Sequence, residues 1–413
     1  MSDGTVTTAN LNLLLKSKMV SCQIHGPGID WQSPFTSIDI DLAGMSGKID
    51  QLKKVLNAAQ TAIWAGLSDP LGKPPNKIAA DEFTNAVERV VSEGATLYSE
   101  LSDLGFRTIL QKIESTLKED DRLTIHTDTA FLPWEILYPF EYNEAWPAAK
   151  KANNPVRPQS LWGYKFMTNH VLLPSMDEGG WEPPLVEHQG GPVFVSLNLN
   201  KTIEEAFEKR DFKPIAFHHQ FFQSSLSSCG QLLEEPELIK ERLLAADNNA
   251  TIIYLYCHGR STSLYDATGD QLELDTGNVI TPAFLDDTKY PRGPIVVLNS
   301  CSSAATSPVS FSSFHKKFRN KRAMGIIGTT IEIPATFAAA FGRKLIEAYL
   351  AGIPIGKAIY KLRRELLDLN NPLGMFYSLQ CPFYITAPGA QTVQPQPAGA
   401  TTTGVSGVAT DER

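Results

Sequence analysis

Two short segments of the sequence carry residues that could perform nucleophilic chemistry together. The run "YLYCHGR" contains His258, and the run "VLNSCSS" contains Cys301. Each residue follows a stretch of apolar side chains that is typical of a buried strand. A cysteine attacks a carbonyl carbon as its thiolate, and a neighbouring imidazole can take the thiol proton. If the two strands are neighbours in one sheet, the pair has the composition of a thiol hydrolase site.

The glycine that follows the histidine adds a second part of that chemistry. Gly259 has no Cβ, so its backbone can approach a substrate carbonyl closely. The backbone N–H groups of Gly259 and Cys301 are therefore the predicted donors of an oxyanion hole. Small serines flank Cys301 and leave space for a cleft.

The elements that must position these residues alternate along the second half of the chain. From about residue 192, continuous apolar runs are separated by helical patterns. This alternation predicts an α/β fold with a mostly parallel sheet covered by helices on both faces. Functional groups in such sheets gather at the carboxyl ends of the strands. His258 and Cys301 both follow strands at that end.

The chain divides into three parts by pattern. Helical spacing within residues 1–120 predicts an α-rich N-terminal unit of unknown role. A change of pattern near residue 122 predicts a second domain over residues 121–386. Residues 387–413 lack large apolar side chains and are predicted to be a disordered tail.

The composition excludes several classes of function. The net charge is -8 with no long basic run, which argues against a nucleic-acid partner. The sequence has no signal-peptide pattern and no apolar stretch long enough to span a membrane. Its five cysteines are scattered and odd in number, which indicates reduced thiols and a cytoplasmic location. No metal-ligand spacing is complete, so neither a metal nor another cofactor is predicted.

The segments around His258 and Cys301 resemble a known family of peptidases. A strand ending in His-Gly, followed by a strand ending in a cysteine with small neighbours, is similar to the caspase-like (clan CD) cysteine peptidases. More narrowly, the chain resembles the CHAT domain, a bacterial caspase-like peptidase domain related to separase. The matching stretches are "LPWEIL", "YLYCHGR", "VVLNSCSSA" and "GIIGTTIEIPATFAAAFGRKLIEAYLAGIPIGKAI", in that order over roughly residues 120–386.

This resemblance implies a caspase-like fold and a cysteine endopeptidase that cleaves a protein partner. It assigns His258 as the general base and Cys301 as the nucleophile, with oxyanion-hole amides from Gly259 and Cys301. CHAT proteins often belong to bacterial defence or cell-death systems. The resemblance therefore implies a role in antiviral defence, a substrate such as a gasdermin-like pore protein, and an upstream activator protein.

The substrate pocket is less well defined by the sequence. In caspase-like peptidases the residue two before the cysteine helps to line the pocket, and here it is the neutral Asn299. Metacaspases that cleave after Arg or Lys have an Asp there. Asp270 and Glu332, in the predicted flanking loops, could supply a negative charge instead, whereas Arg260 could favour an acidic substrate residue. The side-chain preference stays open.

The same residues are also compatible with two other functions. A non-catalytic caspase-like scaffold or signalling adaptor is the main alternative function. A small-amide thiol hydrolase is the third candidate function. The intact dyad favours the peptidase.

Cys257 is predicted to lie in the core. Trp134 and Ile136 of "LPWEIL" are predicted to pack, with Glu135 finding a buried partner, and His218 and its neighbour His219 to end a strand or turn.

Overall fold

The computed structural model describes most of the chain between residues 80 and 386, together with shorter N-terminal stretches. The described residues are 7–16, 19–26, 36–39, 51–52, 54–55, 58, 80–127, 132–172, 195–199, 214–226, 230–260, 271–300 and 314–386. Cys301, Asp270 and the predicted tail over residues 387–413 lie outside them.

Strands and helices alternate through the described part of the chain. The strands are β1 (Thr8–Lys16), β2 (Met19–His25), β3 (Thr36–Asp39), β4 (Arg122–Thr127), β5 (Met167–Leu172), β6 (Val195–Leu199), β7 (Gly230–Leu233), β8 (Ile252–Tyr256), β9 (His258–Arg260), β10 (Gln271–Asp275), β11 (Asn278–Ile280), β12 (Ile295–Asn299), β13 (Gly325–Thr329) and β14 (Tyr377–Gln380). The α-helices are α1 (Ala80–Leu101), α2 (Arg107–Thr116), α3 (Ala148–Asn153), α4 (Trp162–Lys165), α5 (Pro214–Leu226), α6 (Pro236–Leu244), α7 (Phe314–Asn320), α8 (Ala335–Leu350) and α9 (Ile355–Asp368).

The main sheet has six strands in the order β14-β13-β12-β8-β6-β7. Pairing is parallel from β7 through β13, and β14 closes one edge in the antiparallel sense. The prediction of an α/β fold with a mostly parallel sheet is therefore confirmed. Within this sheet the chain first forms β6 and β7, which are neighbours at one edge. It then forms β8 on the other side of β6, so the direction of strand addition reverses there. The carboxyl edge near that reversal is where open α/β sheets bind their ligands.

Both faces of the main sheet are buried, which explains the continuous apolar runs in its strands. In β8, Tyr254 and Tyr256 belong to the hydrophobic cluster that contains residues of α8 and α9, whereas Ile253 and Leu255 belong to the cluster with residues of α6 and α7 on the opposite face. All five residues of β8 and all five of β12 are buried. Helix α8 follows Pro334 and ends before Gly352, whose φ of 80° suits a residue without a Cβ. A proline before the first turn and a glycine after the last are residues that helix ends favour.

The N-terminal part of the chain corrects the predicted domain boundary. A second sheet has the order β3-β2-β1-β4-β5, and β1 pairs in parallel with β4 from Thr8↔Arg122 to Leu13↔Thr127. Residues on both sides of position 120 therefore share one sheet, and the first 120 residues are not a separate helical unit. Such a pairing joins segments more than 100 residues apart, and local periodicity carries no information about it.

The long helical pattern before residue 120 is confirmed with one interruption. Helices α1 and α2 are separated by a π-helical turn, Ser102–Phe106, in which Gly105 has a φ of 106°. The helical spacing predicted within residues 1–120 includes residues 46–67, most of which lie outside the described residues. Among the described residues, no helix combines the length and the apolar character needed to cross a membrane.

Candidate active site

The segments that carry the predicted dyad leave the main sheet at the same edge. Strands β8 and β12 are parallel neighbours, and Tyr256 lies opposite Asn299 at their carboxyl ends. His258 comes two residues after Tyr256, and Cys301 comes two residues after Asn299. The condition stated for the dyad, that the two strands are neighbours in one sheet, is therefore met. Cys301 itself lies outside the described residues, so the dyad stays a prediction.

His258 lies at the start of a small antiparallel sheet that continues from β8. Strand β9 pairs with β10, with Gly259 opposite Leu272, and β10 pairs with β11. His258 is exposed and Gly259 is partly exposed. Cys257 is buried with the side chains of Leu255 and Leu272, so its predicted place in the core is confirmed. The chain thus turns the histidine toward solvent directly after a buried residue.

Asn299 is held inside the protein by a set of hydrogen bonds that we call the Asn299 network, formed by Tyr254, Asn299 and Tyr377. The Asn299 amide nitrogen donates to the hydroxyl of Tyr254 and to the carbonyl oxygen of Ala338 in α8, the latter over 2.8 Å. The hydroxyl of Tyr377 donates to Asn299 Oδ1 over 2.6 Å. The side chain is 1% exposed. Asn299 is thus fixed in the core below the end of β12, and its part in the substrate pocket stays a prediction.

The residue between Asn299 and Cys301 is also fixed. The carbonyl oxygen of Ser300 accepts a hydrogen bond of 2.7 Å from the hydroxyl of Thr329 at the end of β13. Ser300 is buried. Hydrogen bonds thus fix the end of β12 to its neighbour β13 and, through the Asn299 side chain, to α8 and β14. The backbone that leads into Cys301 therefore starts from a rigid position.

His218 extends this arrangement toward the histidine segment. It lies in α5, which corrects the prediction that His218 and His219 end a strand or turn. Its ring stacks on Tyr256 at a centroid distance of 4.6 Å, and its Nε2 is 2.6 Å from the hydroxyl of Tyr254. Burial raises the pKa of the Tyr254 hydroxyl far above its ordinary value, so this group stays protonated and can donate to Nε2.

A glycine in α8 makes room for the Asn299 network. A Cβ on Gly342 would lie 2.3 Å from the Tyr254 hydroxyl and 2.8 Å from Asn299 Nδ2. Atoms cannot approach so closely without displacement, so the helix can cover the network only because this position lacks a side chain.

The remaining predicted pocket residues are placed only in part. Glu332 is exposed and follows β13, the neighbour of β12, so it lies on the chain segment leaving the same edge of the sheet. Arg260 ends β9 opposite Gln271. Asp270 lies outside the described residues. The pocket assignments of Glu332, Arg260 and Asp270 stay predictions.

The "LPWEIL" segment builds a second buried polar group, which we call the charged cluster: Glu135, His170 and Arg363. Oε1 of Glu135 lies 3.0 Å from Nε2 of His170 and 3.6 Å from the Arg363 guanidinium. The carboxylate only accepts, so we assign a proton to this histidine nitrogen. All three residues are almost fully buried. The prediction of a buried partner for Glu135 is confirmed.

The charges in the cluster compensate one another. Burial acts to raise the pKa of Glu135, but His170, through its attraction and hydrogen bond, and Arg363 outweigh burial and hold the pKa below its ordinary value. Arg363 also donates to the hydroxyl of Thr168 over 3.1 Å and to the carbonyl oxygen of Tyr377. Trp134 and Ile136 are buried beside Glu135, as predicted. The cluster thus connects the "LPWEIL" segment to β5, α9 and β14, which is a structural role.

No metal centre emerges from the geometry of the described residues. Within them, no group of three or more His, Cys, Asp or Glu side chains is arranged to hold an ion. Cys381 is buried, and burial strongly raises the pKa of its thiol, which keeps it protonated and unreactive.

Comparisons with known proteins give a structural likeness. A scan of the sequence against protein-family models finds no match, and a search of curated proteins finds none either. Two crystal structures of the Saccharomyces cerevisiae separase–securin complex, at 2.6 Å and 3.0 Å resolution, are similar to this chain. The first has a TM-score of 0.47 at 11% identity over 91% of this chain, and the second 0.46 at 10% over 92%. The matched region is 30% of the length of the chains in those complexes.

Proposed function

We propose that this protein is a cysteine endopeptidase that uses His258 and Cys301 as a catalytic dyad. The observation that supports it most is the register of β8 and β12: Tyr256 lies opposite Asn299, and each is followed two residues later by one member of the dyad. Residues that follow neighbouring parallel strands lie at the carboxyl edge of the sheet, where open α/β sheets bind their ligands.

The proposed reaction is acyl transfer through a thioester. The imidazole of His258 takes the thiol proton of Cys301, and the thiolate attacks the carbonyl carbon of a peptide bond. The backbone N–H groups of Gly259 and Cys301 stabilise the negative charge that develops on the carbonyl oxygen. His258 then returns the proton to the amine as the C–N bond breaks. Water, deprotonated by the same imidazole, hydrolyses the thioester and restores the thiol.

The substrate in this proposal is a protein. The resemblance to CHAT domains supports a place in bacterial defence or cell death, with a gasdermin-like pore protein as the candidate substrate and an upstream protein as activator. The exposed Glu332 and the position of Arg260 in β9 leave both basic and acidic side chains as candidates beside the cleaved bond.

The decisive experiment is labelling with a peptide that carries a thiol-reactive electrophile, followed by mass spectrometry of the modified peptide. We expect modification at Cys301 and a fall in its rate of about 10²–10⁴-fold in His258→Ala, because the general base is lost. His219→Ala, in the half-buried neighbour of His218, is the matched histidine control and should label at the wild-type rate. Cys257→Ala, which removes the buried thiol next to His258, should label equally well.

Cleavage assays complete the test. Cys301→Ala should abolish proteolysis of a protein substrate and leave the melting temperature close to the wild-type value. Cleavage by the pure Cys301→Ala protein would rule out the dyad. Absence of His258-dependent labelling, with or without candidate activator proteins, would favour the non-catalytic scaffold.

A further inference from the structure

Strand β10 places a carboxylate directly across from the proposed general base. In the antiparallel ladder between β9 and β10, Glu273 is the register partner of His258, and Gln271 is the partner of Arg260. Residues directly opposite in an antiparallel pair point to the same face, with Cβ atoms roughly 4.5–5.5 Å apart. That spacing brings a glutamate within hydrogen-bonding reach of an imidazole ring.

The two side chains also share the accessible face of this small sheet. Along β10 the burial alternates, so Leu272 and Leu274 are buried in the core whereas Glu273 is half-buried on the other face. On the partner segment, Cys257, directly before β9, is buried, and His258, the first residue of β9, is exposed. A shift of the β9–β10 pairing by one residue would move Leu272 and Leu274 out of the core. The burial of these two leucines therefore fixes the register of the two strands.

An imidazole that acts as a base must have one ring nitrogen without a proton, and its other ring nitrogen must be held in place by a hydrogen bond. A neutral imidazole carries a proton on one nitrogen only, and the partner of that N–H decides which nitrogen remains able to accept a proton. A carboxylate accepts hydrogen bonds and never donates when ionised, so it selects the tautomer whose N–H points toward it. Among the charged residues of β9 and β10, Arg260 lies opposite Gln271 and Asp275 lies opposite Asn278.

We propose that Glu273 is a positioning residue for His258. Its carboxylate accepts a hydrogen bond from one ring nitrogen, holds the ring in one orientation, and leaves the other nitrogen available for the thiol of Cys301. For its kinetic consequence this inference rests on the proposed peptidase function, whereas the pairing itself can be measured in the protein without any substrate.

The test replaces the carboxylate by an amide in Glu273→Gln. The amide can donate to the ring nitrogen and so favours the wrong tautomer. We expect kcat with a peptide substrate to fall about 10- to 100-fold, the range seen when a partner that orients a histidine is lost, with KM unchanged. Glu273→Asp keeps a carboxylate and should recover part of kcat.

The matched control is Asp275→Asn. It removes the same charge from the same face of the same strand, two residues away, and its side chain can still accept the bond from the backbone N–H of Thr276. We expect kcat within about twofold of wild type. An equal loss of kcat in Asp275→Asn and Glu273→Gln would show a general charge effect and overturn the proposal.

A second readout does not depend on activity. The ring ¹⁵N resonances of His258, assigned by their loss in His258→Gln among the eight histidines of the chain, report the tautomer directly. They should shift in Glu273→Gln and stay in place in Asp275→Asn. Unchanged resonances in both variants would refute the pairing even if the dyad is correct. Conversely, a shift in Glu273→Gln together with cleavage by Cys301→Ala would retain the pairing and reject the dyad mechanism that uses Cys301.

Discussion

Tyr377 contacts two buried polar regions, one that contains charged side chains and one that contains only neutral groups. Its backbone carbonyl accepts a bond from Arg363 of the charged cluster, and its hydroxyl donates to Asn299 of the Asn299 network. The charged cluster contains a carboxylate and a guanidinium inside the protein, whereas the Asn299 network contains only hydroxyl and amide groups. A buried ion that loses its partner costs far more than a neutral group that loses one hydrogen bond.

The two regions also differ in their distance along the chain from the proposed chemistry. Asn299 is two residues from Cys301, and Tyr254 is four residues from His258. Glu135, by contrast, belongs to a short 3-10 helix, Trp134–Ile136, that binds α9 and β5. We therefore expect changes in the charged cluster to act on stability, and changes in the Asn299 network to act on stability and on the site together.

The largest expected effect is the loss of Glu135. Glu135→Ala leaves the Arg363 guanidinium buried without its carboxylate, so the free energy of unfolding should fall by about 3–5 kcal/mol. Urea unfolding followed by circular dichroism measures this fall. The neighbouring residue of α9 provides the control, because Arg364 pairs with Glu119 at the surface. Glu119→Ala should cost less than about 1 kcal/mol, and similar losses in the two variants would contradict the distinction.

The sequence predicts the parts of this molecule that depend on local periodicity. The apolar runs of β8 and β12 and the place of Cys257 in the core follow from spacing alone. The pairing of β1 with β4 and the Asn299 network do not, since Asn299 is 45 residues from Tyr254 and 78 from Tyr377. Such contacts depend on which surfaces meet in three dimensions.

The same limit explains why the hydrogen-bond partners of Asn299 could not be predicted. Its position two residues before a candidate nucleophile indicates a pocket residue, and its amide is equally suited to a buried network. Only the positions of Ala338 and Tyr377 in three dimensions show the network that its side chain forms. The position of Glu273 opposite His258 also needed the register of β9 and β10, although the alternation in "QLELD" indicates on its own that Glu273 faces outward from the core.

An intermediate effect is expected for Tyr377→Phe. This change removes the donor to Asn299 Oδ1 and leaves a buried acceptor unsatisfied, so the free energy of unfolding should fall by about 1–3 kcal/mol. Labelling of Cys301 by the electrophilic peptide should slow as well, because the end of β12 loses one of its anchors.

Tyr290→Phe separates these two consequences. The Tyr290 hydroxyl donates to the carbonyl oxygen of Leu243 over 2.8 Å, in the core on the other face of the main sheet. Its loss should lower the stability by a similar amount and leave Cys301 labelling unchanged. If both variants slow labelling equally, stability alone controls the reaction and the Asn299 network has no special influence on the site.

The smallest effect should appear only in acid, and only in the charged cluster. Because the folded state holds the pKa of Glu135 below its ordinary value of 4.5, the unfolded state takes up the proton more readily. The stabilisation from the ionised carboxylate is therefore complete above pH 4.5 and is lost as the pH falls through the folded pKa.

One group changes the free energy of unfolding by at most about 1.4 kcal/mol per pH unit. We expect the stability difference between wild type and Glu135→Gln to shrink as the pH falls from about pH 5 toward about pH 3.5. Acidic residues outside the charged cluster contribute equally to both proteins, so the change over this acid range reports this carboxylate. The corresponding difference for Tyr377→Phe should not change over the same range, because its hydroxyl–amide bond carries no titrating charge. A difference for Glu135→Gln that grows in acid would mean that the carboxyl is protonated in the folded cluster at neutral pH.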